Sequence, residues 1–448
     1  MAENLNMTRG NPTKLLFTFS LPLMFANVFQ QLYTVVDTAI VGQGVGMMAL
    51  AALGTVDWLN WMFVGIAQGF GQGFSVRIAQ KFGQGDFKGM RQVTGVSAVL
   101  CAVIAVLFTL LGQALLPTFL NLLQVPKNLQ PMGTLYMRIM LAGFPAVMFF
   151  NYCACVLRAV GNSKTPLIAM IIASFANIGL DALTVFVLDW GIAGAAAATV
   201  FSQCLAGAIC ALKIAKTPAL RFSKQDMKLQ KTLCKDLILI GSPVAAKNVI
   251  IALGGMVVQT VVNTFSLSFI AGFTATNKLY GLLEIAATSY GYAVTTYVGQ
   301  NYGAMRLDRV KAGMRSATFL AIGTSLVIAA IMLIFGRPIT MIFISREDPA
   351  LALTAGNIAY WYLSAMAISL PILYLLYVYQ AGLQGMGNTV IPMLSGMLEF
   401  ILRVSLSFVV SYTGYRYGIF GAEVSAWWGA SLFLMLGYFH CYKKNKKA

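Results

Sequence analysis

The chain is predicted to be an all-α polytopic membrane protein with twelve transmembrane helices in two pseudo-symmetric six-helix lobes, and three observations predict it. Composition comes first: 58% of the 448 residues are hydrophobic and only 10% are charged. The mean hydropathy is +0.76, beyond what soluble globular domains reach. The apolar runs are long enough to cross a bilayer as helices, for which about 20 residues suffice, and they lack the alternation of barrel strands. The second observation is where the positive charge falls, and the third is an internal duplication.

The runs place spans at 15–39, 49–74, 92–115, 132–156, 166–188, 191–213, 237–264, 269–297, 313–335, 353–378, 390–412 and 417–441. With the amino terminus on the cytoplasmic side, the inside connections carry 23 of the 31 Lys and Arg residues, seven of them between Lys213 and Lys235. The opposite side carries four: Lys127, Arg337, Arg346 and Arg416. That bias sets both termini in the cytoplasm of a cell (cytoplasmic) membrane protein. It also accounts for the net charge of +17 without nucleic acid, since no basic domain with interleaved aromatics lies outside the membrane.

The duplication has an offset of about 220 residues. Ser20-Leu21-Pro22 recurs as Gly241-Ser242-Pro243, and Val35-Val36-Asp37-Thr38 as Val261-Val262-Asn263-Thr264. The stretch Ala79 to Gly85, read as a loop, recurs as Gly299 to Ala304, and Gly191-Ile192-Ala193-Gly194 as Gly418-Ile419-Phe420-Gly421. Gly161-Asn162 before Pro166 recurs as Gly387-Asn388 before Pro392, a turn followed by a residue tolerated in the first turn of a new helix. Each half holds an even number of spans, so both start on the same side and are related by an axis along the membrane normal. The domains are therefore set at 1–213 for the first lobe, 214–236 for a basic cytoplasmic linker and 237–448 for the second lobe.

Taken in order, the first span carries the first costly residue. Gln30, Tyr33 or Thr34, and Asp37 recur at spacings of three and four and share one helix face, which should look into a polar cavity. An ionisable group in a lipid-crossing helix needs a partner or a pathway. Pro22 in the same span, like Pro243 in its repeat, removes a backbone hydrogen bond and offers either a hinge or a static kink. In the second span Asp57 stands beside Trp58 and Trp61, the composition of an interfacial anchor. The fifth span, running outward, carries Asn177 and Asp181 four apart on one face, and the sixth brings Thr199 to a similar depth. Two carboxylates, a carboxamide and a hydroxyl at one level suit a hard cation, and paired carboxylates also suit a proton. A structural hydrogen-bond cluster is the alternative.

The second lobe mixes signs: Lys247, Lys278, Glu284, Glu399 and Arg403. Glu399 and Arg403 are four apart with the acid first, the favourable order for a pair within one helix, so this network is read as structural. Glu423 has no assigned role. The seven cysteines are scattered, with neither a disulfide framework nor a zinc spacing. The single histidine, His440, lies at the cytoplasmic end of the last span, so proton handling inside the membrane falls to carboxylates. No nucleotide loop, metal motif or activated nucleophile is present, which argues against an enzyme.

Twelve spans in two lobes, Pro22, the Tyr33 to Asp37 face, the paired Gly-Asn turns, Gln300-Asn301 and the Asn177 to Asp181 pair resemble the multidrug and toxic compound extrusion (MATE) transporters. The resemblance is strongest to the branch of the DNA-damage-inducible F protein and its archaeal relatives. It implies a coupling-cation site at Asp37, Asn177, Asp181 and Thr199, a bending helix at Pro22, and Gln30, Tyr33 and Asn151 in the substrate cavity. The other large branch keeps acids in the seventh and tenth spans, where this chain has Lys247, Asn263 and no acid. The implied activity is export of bulky, often cationic or amphipathic organic compounds by alternating access, coupled to entry of Na+ or H+. The expected chain needs no cofactor beyond that ion and works as a monomer in the bilayer, with small organic substrates as its partners. A flippase for a lipid-linked precursor is the rival reading; a phosphate-binding cavity rich in Arg and Lys is expected there, and the first lobe is acidic. A passive channel is the other rival, and it needs no paired carboxylates.

Overall fold

Glycine, proline and asparagine punctuate the apolar runs, and the helices that run to Gly44, Gln84, Ala142, Gly303, Gly385 and Thr413 end at or beside a glycine. The computed structural model describes residues 5–123, 125–344 and 349–447, so Arg346 of the outer charge count lies outside the described residues. Its helices are α1 (Pro12–Gly44), α2 (Met47–Gln84), α3 (Phe87–Leu122), α4 (Gln130–Ala142), α5 (Phe144–Ala159), α6 (Lys164–Ala182) and α7 (Gly191–Lys216). There follow α8 (Lys231–Val262), α9 (Leu267–Gly303), α10 (Leu307–Thr340), α11 (Pro349–Gly385), α12 (Val390–Thr413) and α13 (Phe420–Lys447), with no strand among the described residues. Ten are long and apolar enough to cross a membrane singly, and α4 with α5 makes an eleventh span bent by 46°. The twelfth, α9, has the length, but Asn277, Lys278 and Glu284 lower its hydropathy.

The bend between α4 and α5 corrects the reading of 132–156 as one continuous run. Gly143 leaves no room for a side chain against Val200 of α7, and Pro145 starts the new helix at a position where its missing N–H is not needed. The Ala79–Gly85 stretch is likewise not a loop but the last turns of α2, which at 38 residues is roughly 57 Å long and outruns the bilayer core. Gly85, with φ +75°, closes it: its N–H donates to Phe82 O at 3.1 Å and that of Asp86 to Lys81 O at 3.1 Å. Asp86 then caps α3 through Gly89 N at 2.8 Å. The hydrogen bond from Lys81 and that cap together hold its carboxyl below the usual carboxylate range.

The Gly-Asn turns show the duplication atom by atom. Gly161 has φ +85° and Gly387 +86°. Asn162 N donates to Leu157 O at 2.9 Å, as Asn388 N does to Leu383 O at 3.0 Å. Each Asn side chain also caps the next helix, at Thr165 N (3.0 Å) and Ile391 N (3.2 Å).

The chain forms two compact units: Met1–Met7, Leu21–Val249 and Gly303–Met305 in one, Thr8–Ser20, Ile250–Tyr302 and Arg306–Ala448 in the other. They differ from the division at 213 and 237, because α1 changes unit between Ser20 and Leu21 and α8 between Val249 and Ile250. In the first unit α5 is the central helix, packed against α2, α3 and α7 and buried over nearly its whole surface. In the second, α11 takes that place against α10 and α13, with Phe273 and Phe420 stacked on Tyr362 at 4.7 and 4.8 Å. The basic linker folds onto the first unit: Leu220 is buried, and Gly95 of α3 makes room for the backbone of Asp226. Arg77 grips Asp236 with two hydrogen bonds of 2.8 and 2.6 Å.

The exposed linker gives the orientation a direct test. Gln225→Cys, in a background without reactive thiols, is expected to be shielded from an impermeant maleimide in intact cells and labelled once the membrane is opened. Labelling from outside would reverse every depth assignment.

Candidate ion site in the first unit

Four sequence-predicted residues lie in the first unit on α1, α6 and α7, in two groups: Asp37 with Asp181, and Asn177 with Thr199. Asp37 on α1 and Asp181 on α6 lie within hydrogen-bonding reach of each other. Asn177, one turn before Asp181, lines a small cavity with Thr199 and Tyr33. That cavity measures about 10 Å3, room for about one water or one ion. Asn177 and Asp181 are both 0% exposed. Both oxygens of Asp181, both polar atoms of Asn177 and Oδ1 of Asp37 are buried without a hydrogen-bond partner among the described residues.

Local sequence explains the approach. Immediately after Asp181 the chain loosens into a π-turn, Leu183–Val187, a feature often found where helices carry function. Thr184 of that turn packs against Gly194 of α7, and Asp189 (φ +50°) and Gly191 (φ +55°) turn the backbone into the next helix. On α1, Thr34 and Thr38 donate to the carbonyls of Gln30 and Thr34 at 2.9 and 2.8 Å. Gln30 and Gln203 lie within hydrogen-bonding reach of the Tyr33 hydroxyl.

Two members escaped the sequence reading. Gln203, whose Oε1 is buried without a partner, follows Thr199 by four residues, so extending that helix face one turn finds it. Tyr136 of α4 lies near Asp37 and Asp181, and no local pattern announces it. Asn151 is buried, and its carboxamide donates to Val147 O at 2.9 Å, within α5.

The second-unit network differs from its sequence version. Arg403 lies 3.6 Å from Glu399, as the spacing implied, but its closer partner is Glu423 at 2.8 Å. Glu284 instead accepts from Tyr377 and, at 3.5 Å, from Tyr280. Lys247 belongs to the first unit, one helical turn ahead of the point where α8 changes unit, and Lys278 is exposed. Asp57 and Trp61 are exposed.

Duplicated bundles of lipid-length helices, with oxygen donors buried inside one of them, define a membrane transport protein. A sequence model of the MatE family matches residues 22–183 and again 243–409, starting at Pro22 and at its repeat Pro243. The chain belongs to that family, the multidrug and toxic compound extrusion proteins, which are transporters and not enzymes. It is 29% identical to the probable multidrug resistance protein YpnP of Bacillus subtilis, over 95% of this chain and 91% of the relative. With the probable multidrug resistance protein NorM of Thermotoga maritima it shares 25% identity, over 92% of this chain and 88% of the relative. The fold is similar to the solved structure of a MOP superfamily transporter from Pyrococcus furiosus, with TM-score 0.92 at 22% identity, covering 99% of this chain and 98% of that one.

Proposed function

We propose that this chain is a cation-coupled antiporter of the cytoplasmic membrane that exports bulky organic, often cationic or amphipathic, compounds by alternating access. One observation carries the coupling: two carboxylates stand within hydrogen-bonding reach of each other, and both oxygens of Asp181 and Oδ1 of Asp37 are buried with no hydrogen-bond partner among the described residues. Two ionised carboxylates there repel each other and leave acceptors unsatisfied. One proton shared between them relieves both problems, and so does one Na+ coordinated by Asp37, Asp181, the Asn177 carbonyl and the Thr199 hydroxyl. The donors are all oxygen, as a hard cation prefers.

Coupling requires that the ion favour one conformation over another. Pro22 is the proposed hinge, because α1 leaves one unit for the other between Ser20 and Leu21, the step just before Pro22. The segment carrying Gln30, Tyr33 and Asp37 can then respond to charge neutralisation at Asp37. Gln30 and Tyr33 are the proposed substrate contacts beside the ion. The names of the relatives support the multidrug reading.

The test is transport in proteoliposomes with the sodium and proton gradients imposed separately. One inward ion gradient is expected to drive a fluorescent cationic dye against its own gradient. Dye movement indifferent to both gradients would overturn the antiporter reading.

A further inference from the structure

A second cavity in the first unit shares no lining residue with the ion site. It is a groove of about 520 Å3 with α5 as its floor, α3 and α7 as its walls, and the linker residues Arg221 and Phe222 at one end. The walls stay apart because small residues face the groove: Ala98 and Ala102 on α3, Ala211 and Ala215 on α7. On α3 the lining runs from Ala98 to Val106, roughly 12 Å of helix. Around it lie outward-facing apolar side chains, Val103 at 57% exposure and Leu212 at 60%, which places the opening toward acyl chains rather than water.

The polarity along this groove is one-sided. Apart from the Tyr152 hydroxyl, which is occupied by Thr94 O at 2.5 Å, the body is apolar. Arg221 supplies the only charge in the lining, and its guanidinium makes no ion pair or hydrogen bond among the described residues. Between Lys213 and Lys235 seven basic residues face a single acid, Asp226. An apolar slot closed at its basic-linker end by an unpaired guanidinium matches a molecule with a hydrocarbon tail and a negative head. A cationic substrate meets like charge there. Basic pockets between helices on the cytoplasmic side are suited to anionic headgroups.

We infer that this groove holds one anionic phospholipid of the cytoplasmic leaflet, its acyl chain lying along α5 between α3 and α7 and its phosphate paired with Arg221. Such a lipid ties the linker to the first unit, and neither the ion site nor the substrate contacts take part.

The experiment is native mass spectrometry of the delipidated full chain, titrated with phosphatidylglycerol and with phosphatidylcholine of identical chains. One phosphatidylglycerol is expected to bind ahead of phosphatidylcholine. Arg221→Ala is expected to weaken it about five-fold, the worth of one basic residue at an anionic surface, and so to remove most of the headgroup preference. Ala102→Trp fills the slot and is expected to abolish the first bound lipid of either kind; Ala215→Trp does the same from the other wall should the first variant fold poorly. Lys224→Ala, on the linker outside the lining, is expected to bind as the unmodified chain does. Equal binding of the two lipids by the unmodified chain, or binding unchanged in Arg221→Ala and the filled variants, would overturn the inference. Displacement of the bound lipid by the cationic dye would overturn it too, since that makes the groove a substrate pocket.

Discussion

Replacing Asp37 or Asp181 by Asn is expected to abolish uphill export while leaving the protein folded and inserted. The carboxamide has the size of the carboxylate and brings the N–H that the pair lacks, so each variant imitates the protonated or ion-bound site permanently. With Asp37→Asn the new donor faces Asp181, whose two oxygens have no partner among the described residues of the unmodified protein. A buried acceptor left unsatisfied costs about 1–3 kcal/mol, so each variant is expected to melt at the same temperature as the unmodified chain or a higher one. Substrate binding persists, because the protein is held in one of its two ion states; what disappears is the dependence of that binding on the ion. Asn177→Ala and Thr199→Ala remove neutral oxygens rather than charge, and each is expected to weaken ion affinity by a smaller step. The measurement is dye export in cells, with ion-dependent dye binding and a melting curve on each purified variant. Normal coupled export by both Asp37→Asn and Asp181→Asn would remove the ion site from the first unit, and loss in Glu399→Gln alone would move it to the second.

What the sequence disclosed follows the range of the forces involved. Periodicity within a helix is local, so the Gln30 to Asp37 face and the Asn177 to Asp181 pair were visible directly. The common depth of Asp37, Asp181 and Thr199 followed from counting residues inward from the membrane surface, because the bilayer fixes the length of every span. The duplication was legible because identical turns need identical chemistry, and Gly161-Asn162 and Gly387-Asn388 build the same hydrogen bonds. Contacts across helices carry no such local mark. Glu423 sits twenty residues after Arg403, beyond a turn, and nothing in the spacing says that its carboxylate swings back to the guanidinium. Tyr136 approaches the acids from a span with no polar face of its own. The bend at Gly143 had its signal, a glycine two residues ahead of Pro145, but hydropathy outweighed it because the run stays apolar across the break. The last turns of α2 were misread for the opposite reason: their polarity suggested a loop, whereas a helix that leaves the bilayer keeps its hydrogen bonds in water.

Arg403→Ala is expected to be the most damaging single change in the second unit. The guanidinium is 5% exposed and holds Glu423 at 2.8 Å and Glu399 at 3.6 Å, their side chains 16% and 4% exposed. Removing it leaves Glu399 of α12 and Glu423 of α13 without the guanidinium that holds them, and breaking a buried pair from one side costs about 3–5 kcal/mol. The loss is expected first as a lower yield of folded protein, then as a lower melting temperature of what remains. Restoring balance should recover most of it: Arg403→Met combined with Glu399→Gln and Glu423→Gln removes every charge of the cluster and keeps its volume. Replacing a whole buried ionic group by neutral side chains is often harmless to stability, so the triple variant is expected to outlast the single one. Gly254 of α8 bears on the result, since Arg403 Cδ lies 3.4 Å from where its side chain would begin, and a methionine fits the same space. The three proteins are compared by melting in detergent and by ion-driven export. Arg403→Ala with unchanged yield and melting but no coupled export would give this cluster a part in transport and end its reading as structural.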